Sequence, residues 1–90
     1  MFQNKATLPT HPGELIADEI EYAGWSIEKA AEKMDFSIEE LKSLIECKIP
    51  ISKQACKKAD VLFNLEYDML LRLQSDWDKR LMDYYYEIHS

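Results

Sequence analysis

Residues 26–46 read SIEKAAEKMDFSIEELKSLIE, and this stretch decides the fold. Its opening serine is a preferred helix N-cap residue, and Ser37 with Glu40 forms the Ser-x-x-Glu capping box that begins a second helix. Three residues, 34–36, separate the two helical patterns, so the connection is a tight turn. Because the small side chains of residues 30–31 allow a close crossing, the pattern predicts a helix-turn-helix arrangement.

Helix signals also dominate the rest of the 90-residue chain, which has two glycines, three prolines and no strand-like alternation of useful length. We predict a first helix that begins near Pro12 and ends at Gly24, where glycine supplies a left-handed cap. Pro50 is expected to stop the third helix. Ser52 is expected to cap a fourth helix, with Asn64 as the left-handed residue after it.

The predicted fold class is therefore all-α, with five helices and a long C-terminal helix. The C-terminal segment, from about residue 66 to residue 88, is one long helix or two helices with a break near Ser75. We expect residues 1–10 to form an irregular N-terminal arm and residues 11–90 a single helix-turn-helix domain. Within that domain, residues 64–90 are expected to serve in dimerisation or in binding a partner.

The net charge of −6 argues against a general binder of polyanions. Its distribution is uneven, because residues 42–59 carry five lysines against one acidic residue, a net charge of +4, between two acidic segments. In one interpretation these lysines grip DNA phosphates at the edges of a half-site. In the other interpretation they form a solvated helix face without a ligand.

No catalytic or metal site can be assembled from residue spacing. Cys47 and Cys56 lack the spacing of a zinc site, and His11 and His89 lie at opposite ends of the chain with no nucleophile or carboxylate constellation. We therefore predict a protein that is not an enzyme and that needs no cofactor or metal. The sequence has no apolar run of roughly 18 residues and no signal-peptide pattern, which favours a cytoplasmic protein without a membrane partner.

Several short motifs resemble those of HigA-type antitoxins, which belong to the Xre/Cro-like (lambda-repressor-like) helix-turn-helix group. The family elements are HPGE-(I/L), LGLS, VS, GKRPIS and WLNLQ…YD. The corresponding segments run from about residue 11 to residue 78 and are HPGELI at 11–16, AGWS at 23–26, FS at 36–37, KIPIS at 48–52, LRLQ at 71–74 and WD at 77–78. The resemblance implies a dimer that binds operator DNA and neutralises an RNA-cleaving toxin. Double-stranded DNA, a second copy of the chain and a basic HigB-like toxin are the expected partners.

Three departures from the family pattern lie at or beside the helix expected to contact DNA. Ile38-Glu39-Glu40 stands where the family has arginine or a small polar residue, Glu46-Cys47 replaces Asn-Gly, and Asp35 replaces a glycine in the turn. Glutamate only accepts hydrogen bonds, so at most it pairs with a cytosine amino group, and its charge repels phosphate. The predicted DNA-contacting residues are Ser37, Glu39, Glu40, Lys42, Ser43, Lys48, Lys53 and Lys57.

The last helix carries apolar and aromatic side chains at intervals of three and four residues. The predicted interface residues are Leu70, Leu73, Trp77, Leu81, Tyr84, Tyr85 and Ile88. Tyrosine and tryptophan suit an interface because each is apolar with one polar group. A self-complementary dimer contact, a toxin-binding surface and packing within the chain are the three interpretations of this stripe.

Two functions of different classes follow from these patterns. The first is a HigA-like antitoxin and transcriptional regulator that binds operator DNA as a dimer and neutralises a cognate toxin. The alternative is a protein-interaction module on a degenerate helix-turn-helix scaffold, which has little or no DNA affinity and binds a basic partner with its acidic faces.

Overall fold

Five α-helices and no strand make up residues 10–89, the part of the chain that this computed structural model describes, with side chains through residue 88. The helices are α1 (Pro12–Ala23), α2 (Ile27–Met34), α3 (Ile38–Ile45), α4 (Lys53–Phe63) and α5 (Tyr67–His89). The predicted all-α fold with five helices is confirmed, and α5 runs through Ser75 without a break. Of the arm predicted for residues 1–10, all but Thr10 lies outside the described residues.

Local capping interactions set most of the helix ends at the predicted positions. Ser26 Oγ accepts a hydrogen bond from the Lys29 backbone N–H at 3.1 Å, and Ser52 Oγ accepts one from the Ala55 N–H at 3.1 Å. Each bond satisfies a helix N–H that has no partner within its helix. Left-handed residues end three of the helices: Gly24 (φ 73°), Asp35 (φ 61°) and Asn64 (φ 59°).

The end of α3 differs from the prediction. The helix ends at Ile45 rather than being stopped by Pro50. Cys47 takes a left-handed φ of 63°, and the Lys48 N–H donates to the Ser43 carbonyl at 2.9 Å, which closes the last turn. The backbone turns away before proline is reached, so the prediction for Pro50 was wrong. A side chain with a Cβ in this conformation costs about 1 kcal/mol relative to glycine.

The core lies where all five helices meet. Its buried residues are Ile16, Ile20, Ala30, Ala31, Met34, Leu41, Leu44, Ile51, Ala55, Cys56, Ala59 and Leu70. The pair at 30–31 is almost fully buried, which confirms the close crossing of α2 and α3 that their small size predicted. Leu70 has no exposed surface, so its predicted place on an interface was wrong and it belongs to the core. Its burial is explained by the packing of α5 against α1 and α4.

The N-terminal turn of α1 lies directly against the backbone of α3. Pro12 occupies the first helical position, where a missing N–H is harmless. Gly13 approaches α3 so closely that a Cβ would overlap the Leu44 carbonyl oxygen. His11 and Glu14 complete a capping box at this helix end. The HPGE segment therefore combines a cap, a helix start and a backbone contact that holds the end of α3.

Candidate nucleic-acid interface

α3 has one face in the core and one face open to solvent. Leu41 and Leu44 are buried on the inner side, and the first turn and outer face are exposed. The predicted DNA-contacting residues of this region are therefore accessible: Ser37, Glu39, Glu40 and Lys42 are exposed and Ser43 is half-buried. A helix placed in this way, second in a helix-turn-helix, can enter a major groove.

The two glutamates in the first turn of α3 are not equivalent. Glu40 Oε1 accepts hydrogen bonds from the Ser37 N–H and hydroxyl, each at 3.3 Å, and Ser37 Oγ accepts from the Glu40 N–H at 3.1 Å. This is the predicted capping box, and it gives the Glu40 carboxylate a structural role. Glu39 forms no hydrogen bond or ion pair with any of the described residues and is exposed. Both negative charges lie near the positive end of the α3 dipole and so stabilise the helix.

Lysines surround the α3 face at its C-terminal side and at the start of α4. Lys53 is the first residue of α4 and Lys57 lies one turn later, and both are exposed. Lys48 pairs with Glu46 at 3.1 Å, but the two side chains are 70% and 52% exposed, so this ion pair contributes little to stability. Glu40, Ser52 and Ala55 line one small cleft of about 70 Å³, which shows that the first turns of α3 and α4 are neighbours.

The segment between α3 and α4 is held by a glutamine of α5. Gln74 is only 7% exposed, its Oε1 accepts from the Ile51 N–H at 2.8 Å, and its Nε2 donates to Asp78 Oδ1 at 2.9 Å. These bonds fix the chain just after Lys48 and just before the cap of α4. The sequence signal for this contact is a single glutamine at a core position of an apolar helix stripe.

His11 is a second buried polar group that joins the same elements. Its Nδ1 accepts from the Gly13 N–H at 2.9 Å, and its ring meets Trp77 edge-on with 4.9 Å between centroids. Burial lowers the pKa of His11 below its ordinary value, although nearby Glu14, a hydrogen bond with the Ile49 backbone and Asp78 act in the opposite direction. The neutral ring therefore fits the folded state best. Sequence spacing gave His11 no role because its partners come from three separate segments.

The lowered pKa of His11 predicts a loss of stability in mild acid. As pH falls below the ordinary pKa of 6.5, the unfolded chain takes up a proton before the folded chain does. Above that pH, His11 should therefore have no effect on how the free energy of unfolding depends on pH. Between the pKa of the unfolded chain and that of the folded chain, the free energy of unfolding should decrease as pH falls. Below the pKa of the folded chain it should level off. Urea unfolding measured from about pH 8 to pH 5 tests this, because histidine titrates in that range.

The matched control for this titration is His11→Asn. Asparagine can still accept a hydrogen bond at the start of α1, but it does not titrate. The variant should lose less stability than the wild type between neutral and mildly acidic pH. Parallel curves for the two proteins would contradict the proposed burial of a neutral imidazole.

Apart from the buried Leu70, the predicted interface residues of α5 separate into two groups. Leu73 and Trp77 are half-buried, and the Trp77 ring contacts His11, whereas Leu81, Tyr84, Tyr85 and Ile88 are 42% to 60% exposed. Positions 70, 74, 77, 81, 84 and 88 follow the alternating four- and three-residue spacing of a helix–helix seam. The seam that packs on the domain in the first half of α5 thus continues as an exposed apolar seam in the second half.

In the described part of the chain, the other groups that could react or bind a ligand are two cysteines. Cys47 and Cys56 are free thiols, and burial raises the pKa of both. Between residues 10 and 89 no three His, Cys, Asp or Glu side chains are grouped as a metal site would require. Over the same range, no helix combines the length and apolar character needed to cross a membrane.

The fold is similar to those of several solved proteins. A HigA-family addiction module antidote protein from Coxiella burnetii is 20% identical, with a TM-score of 0.73 over 82% of each chain. A proposed antidote protein of a plasmid maintenance system from Nostoc punctiforme is 20% identical, with a TM-score of 0.74 over 92% of this chain and 97% of that one. A hypothetical protein from E. coli is 24% identical, with a TM-score of 0.69 over 78% and 72%.

At these identities the likeness establishes the fold: a five-helix helix-turn-helix domain of the kind found in antidote proteins. No family model matches the sequence. No curated protein is significantly similar to it in sequence.

Proposed function

We propose that this chain is an antitoxin-type transcriptional regulator of the HigA kind, in the Xre/Cro-like group. It binds operator DNA as a homodimer through α3 and the start of α4, holds a basic toxin with another surface, and carries out no catalysis. The observation that carries the proposal is the exposed face of α3 beside a lysine-bearing α4 N-terminus. Its occurrence in a fold shared with antidote proteins supports the toxin-related role.

The lysines supply the phosphate contacts. Lys42, Lys53 and Lys57 are exposed and form no ion pair with a described residue, so their charges are available to DNA. Lys48 adds a weaker contact because Glu46 partly neutralises it. Each phosphate that a lysine neutralises releases a counterion, so binding of this kind weakens as salt rises.

The exposed seam of α5 supplies the dimer contact. A helix-turn-helix protein gains affinity when two copies bind half-sites about 34 Å apart, because a single copy makes few base contacts. The seam residues Leu81, Tyr84 and Ile88 are apolar, exposed and continuous with a buried seam, which makes a second copy of the same helix a matching surface.

We expect the substitution Leu81→Glu to convert the dimer into a monomer, because it buries a charge in the apolar seam. Ser75→Glu is the matched control, since it adds the same charge to the same helix at an exposed position outside the seam. Analytical ultracentrifugation measures the result. A monomeric wild type, or an unchanged dimer in Leu81→Glu, would refute this interface.

A second candidate function rests on the acidic surfaces. α1 carries four carboxylates and no basic residue, and the first turn of α3 carries two more. This charge distribution favours a basic protein partner and opposes phosphate at the tip of α3. A module that binds only protein would keep the fold and the acidic faces without any DNA affinity.

The affinity of the protein for the DNA upstream of its own gene, measured at several salt concentrations, separates these functions. We expect log affinity to fall linearly with log salt. The double variant Lys53→Ala/Lys57→Ala removes four lysines from the dimer and should reduce the magnitude of the slope by about 3.6. Lys29→Ala/Lys33→Ala removes the same charge from α2, where both ammonium groups lie about 6 Å from the Trp25 ring, and should leave the slope unchanged. No binding by the wild type at low salt would favour the interaction module.

A further inference from the structure

The first turn of α3 presents an unusual pair of side chains to solvent. Ile38 and Glu39 are its first two residues, directly after the Ser37 cap. Glu39 is exposed, and Ile38 is 38% exposed although isoleucine is usually buried. In a helix-turn-helix the residues at the start of the second helix contact the base edges. The chemistry of this pair therefore bears on which bases the helix accepts.

Glu39 is the carboxylate available for such a contact. The neighbouring Glu40 already accepts two hydrogen bonds from Ser37, which hold it at the helix cap. No described residue forms a hydrogen bond or an ion pair with the Glu39 carboxylate, so it can bind a ligand without the loss of such an interaction within the protein.

A carboxylate selects among the bases because it only accepts hydrogen bonds. In the major groove guanine presents two acceptors and thymine presents one, so both repel it. Adenine offers an amino group beside the N7 acceptor, whereas cytosine offers its N4 amino group without an adjacent acceptor. Cytosine is therefore the favoured base opposite Glu39.

Ile38 selects by a different property. Its side chain forms no hydrogen bonds, and the apolar group that bases expose in the major groove is the C5-methyl of thymine. An exposed isoleucine at the helix start gains apolar contact when it lies against the methyl group of a thymine. Against any other base it covers polar edge atoms without forming a hydrogen bond to them. Thymine is therefore the favoured base beside Ile38.

We propose that Ile38 and Glu39 are the specificity-determining residues of α3, and that they select half-sites with a thymine next to Ile38 and a cytosine opposite Glu39. This inference rests on the proposed DNA-binding function and specifies its ligand. The same carboxylate repels phosphate, so Glu39 discriminates between bases rather than adding affinity.

The test is selection of duplexes from a randomised DNA pool at low salt, with the wild type, Glu39→Gln and Ile38→Ala. Both substituted positions are exposed, so the two variants should fold, which circular dichroism checks. The wild type should enrich a cytosine that Glu39→Gln replaces by adenine, because glutamine pairs with the N6 and N7 atoms of adenine. Glu39→Gln should also bind the pool more tightly, since a charge that repels phosphate is gone.

A chemical substitution in the selected duplex tests Ile38 separately. Replacing the thymine by deoxyuridine removes only the methyl group, and we expect it to weaken wild-type binding about fivefold and to leave Ile38→Ala binding unchanged. Enriched duplexes with the same base preferences in all three proteins would overturn this inference and leave the proposed function intact. A pool from which the wild type enriches no duplex would overturn the DNA-binding function itself, and this inference with it.

Discussion

Gly13→Ala should lower the free energy of unfolding by about 3 kcal/mol, although alanine is ordinarily the better helix residue by about 1 kcal/mol. The added Cβ would overlap the Leu44 carbonyl oxygen and lie 2.8 Å from its carbon. Both atoms belong to the backbone of α3, so no side-chain rotation can relieve the overlap. The helices must separate, and the loss of packing exceeds the gain in helix propensity.

Gly24→Ala is the matched control for this substitution. Gly24 has a left-handed φ of 73°, but nothing lies within 4 Å of the position that its Cβ would take. Alanine there should cost about 1 kcal/mol, from backbone conformation alone. Urea unfolding followed by circular dichroism gives both values. A Gly13→Ala protein as stable as the Gly24→Ala protein would contradict the close contact of α1 with α3.

Gln74→Met should lower the free energy of unfolding by about 2 kcal/mol, since it leaves a buried donor without a partner. Methionine is close in volume to glutamine but cannot accept the hydrogen bond that Ile51 N–H donates at 2.8 Å. The substitution also removes the bond to Asp78. The chain between α3 and α4 should then loosen, and with it the position of Lys48.

Amide hydrogen exchange distinguishes this local effect from a general loss of stability. In Gln74→Met the Ile51 N–H should exchange faster than the global destabilisation accounts for. Asp78→Asn keeps an acceptor for Gln74 Nε2 and should leave the exchange of Ile51 unchanged. Continued protection of the Ile51 N–H in Gln74→Met would show that Gln74 does not hold this segment.

Features that depend on neighbours in sequence were predictable. The caps at Ser26, Ser37 and Ser52 each join a side chain to a backbone N–H three residues away, and the structure has all three. The residue type and spacing fix such an interaction almost alone. For the same reason the left-handed ends at Gly24 and Asn64 were predicted correctly.

Features that depend on distant residues were not predictable. Gln74 and Ile51 are 23 positions apart in the sequence, and His11 and Trp77 are much further apart in it although their rings are in contact. Leu70 and Leu81 share one apolar stripe in the sequence, yet the first is core and the second is exposed. Periodicity identifies the face of a helix, but it cannot tell where the neighbouring helices stop covering that face.

In the candidate site, too, interactions with sequence neighbours were predictable and interactions with more distant groups were not. Glu40 was predicted both as a capping residue and as a DNA contact, and the structure confirms the capping role. Its contact with DNA stays a prediction, as do those of the lysines. A single chain establishes which side chains are accessible, whereas base and phosphate contacts depend on a partner.

The most direct test of the central claim is heteronuclear NMR of the full chain, titrated with the DNA duplex from upstream of its own gene. If α3 and the start of α4 bind DNA, backbone amide shifts should concentrate at residues 37–43 and 48–57 and leave α1 unchanged. Shifts confined to α1, or no shifts at low salt, would contradict the claim that this face of the helix-turn-helix is a DNA-binding surface.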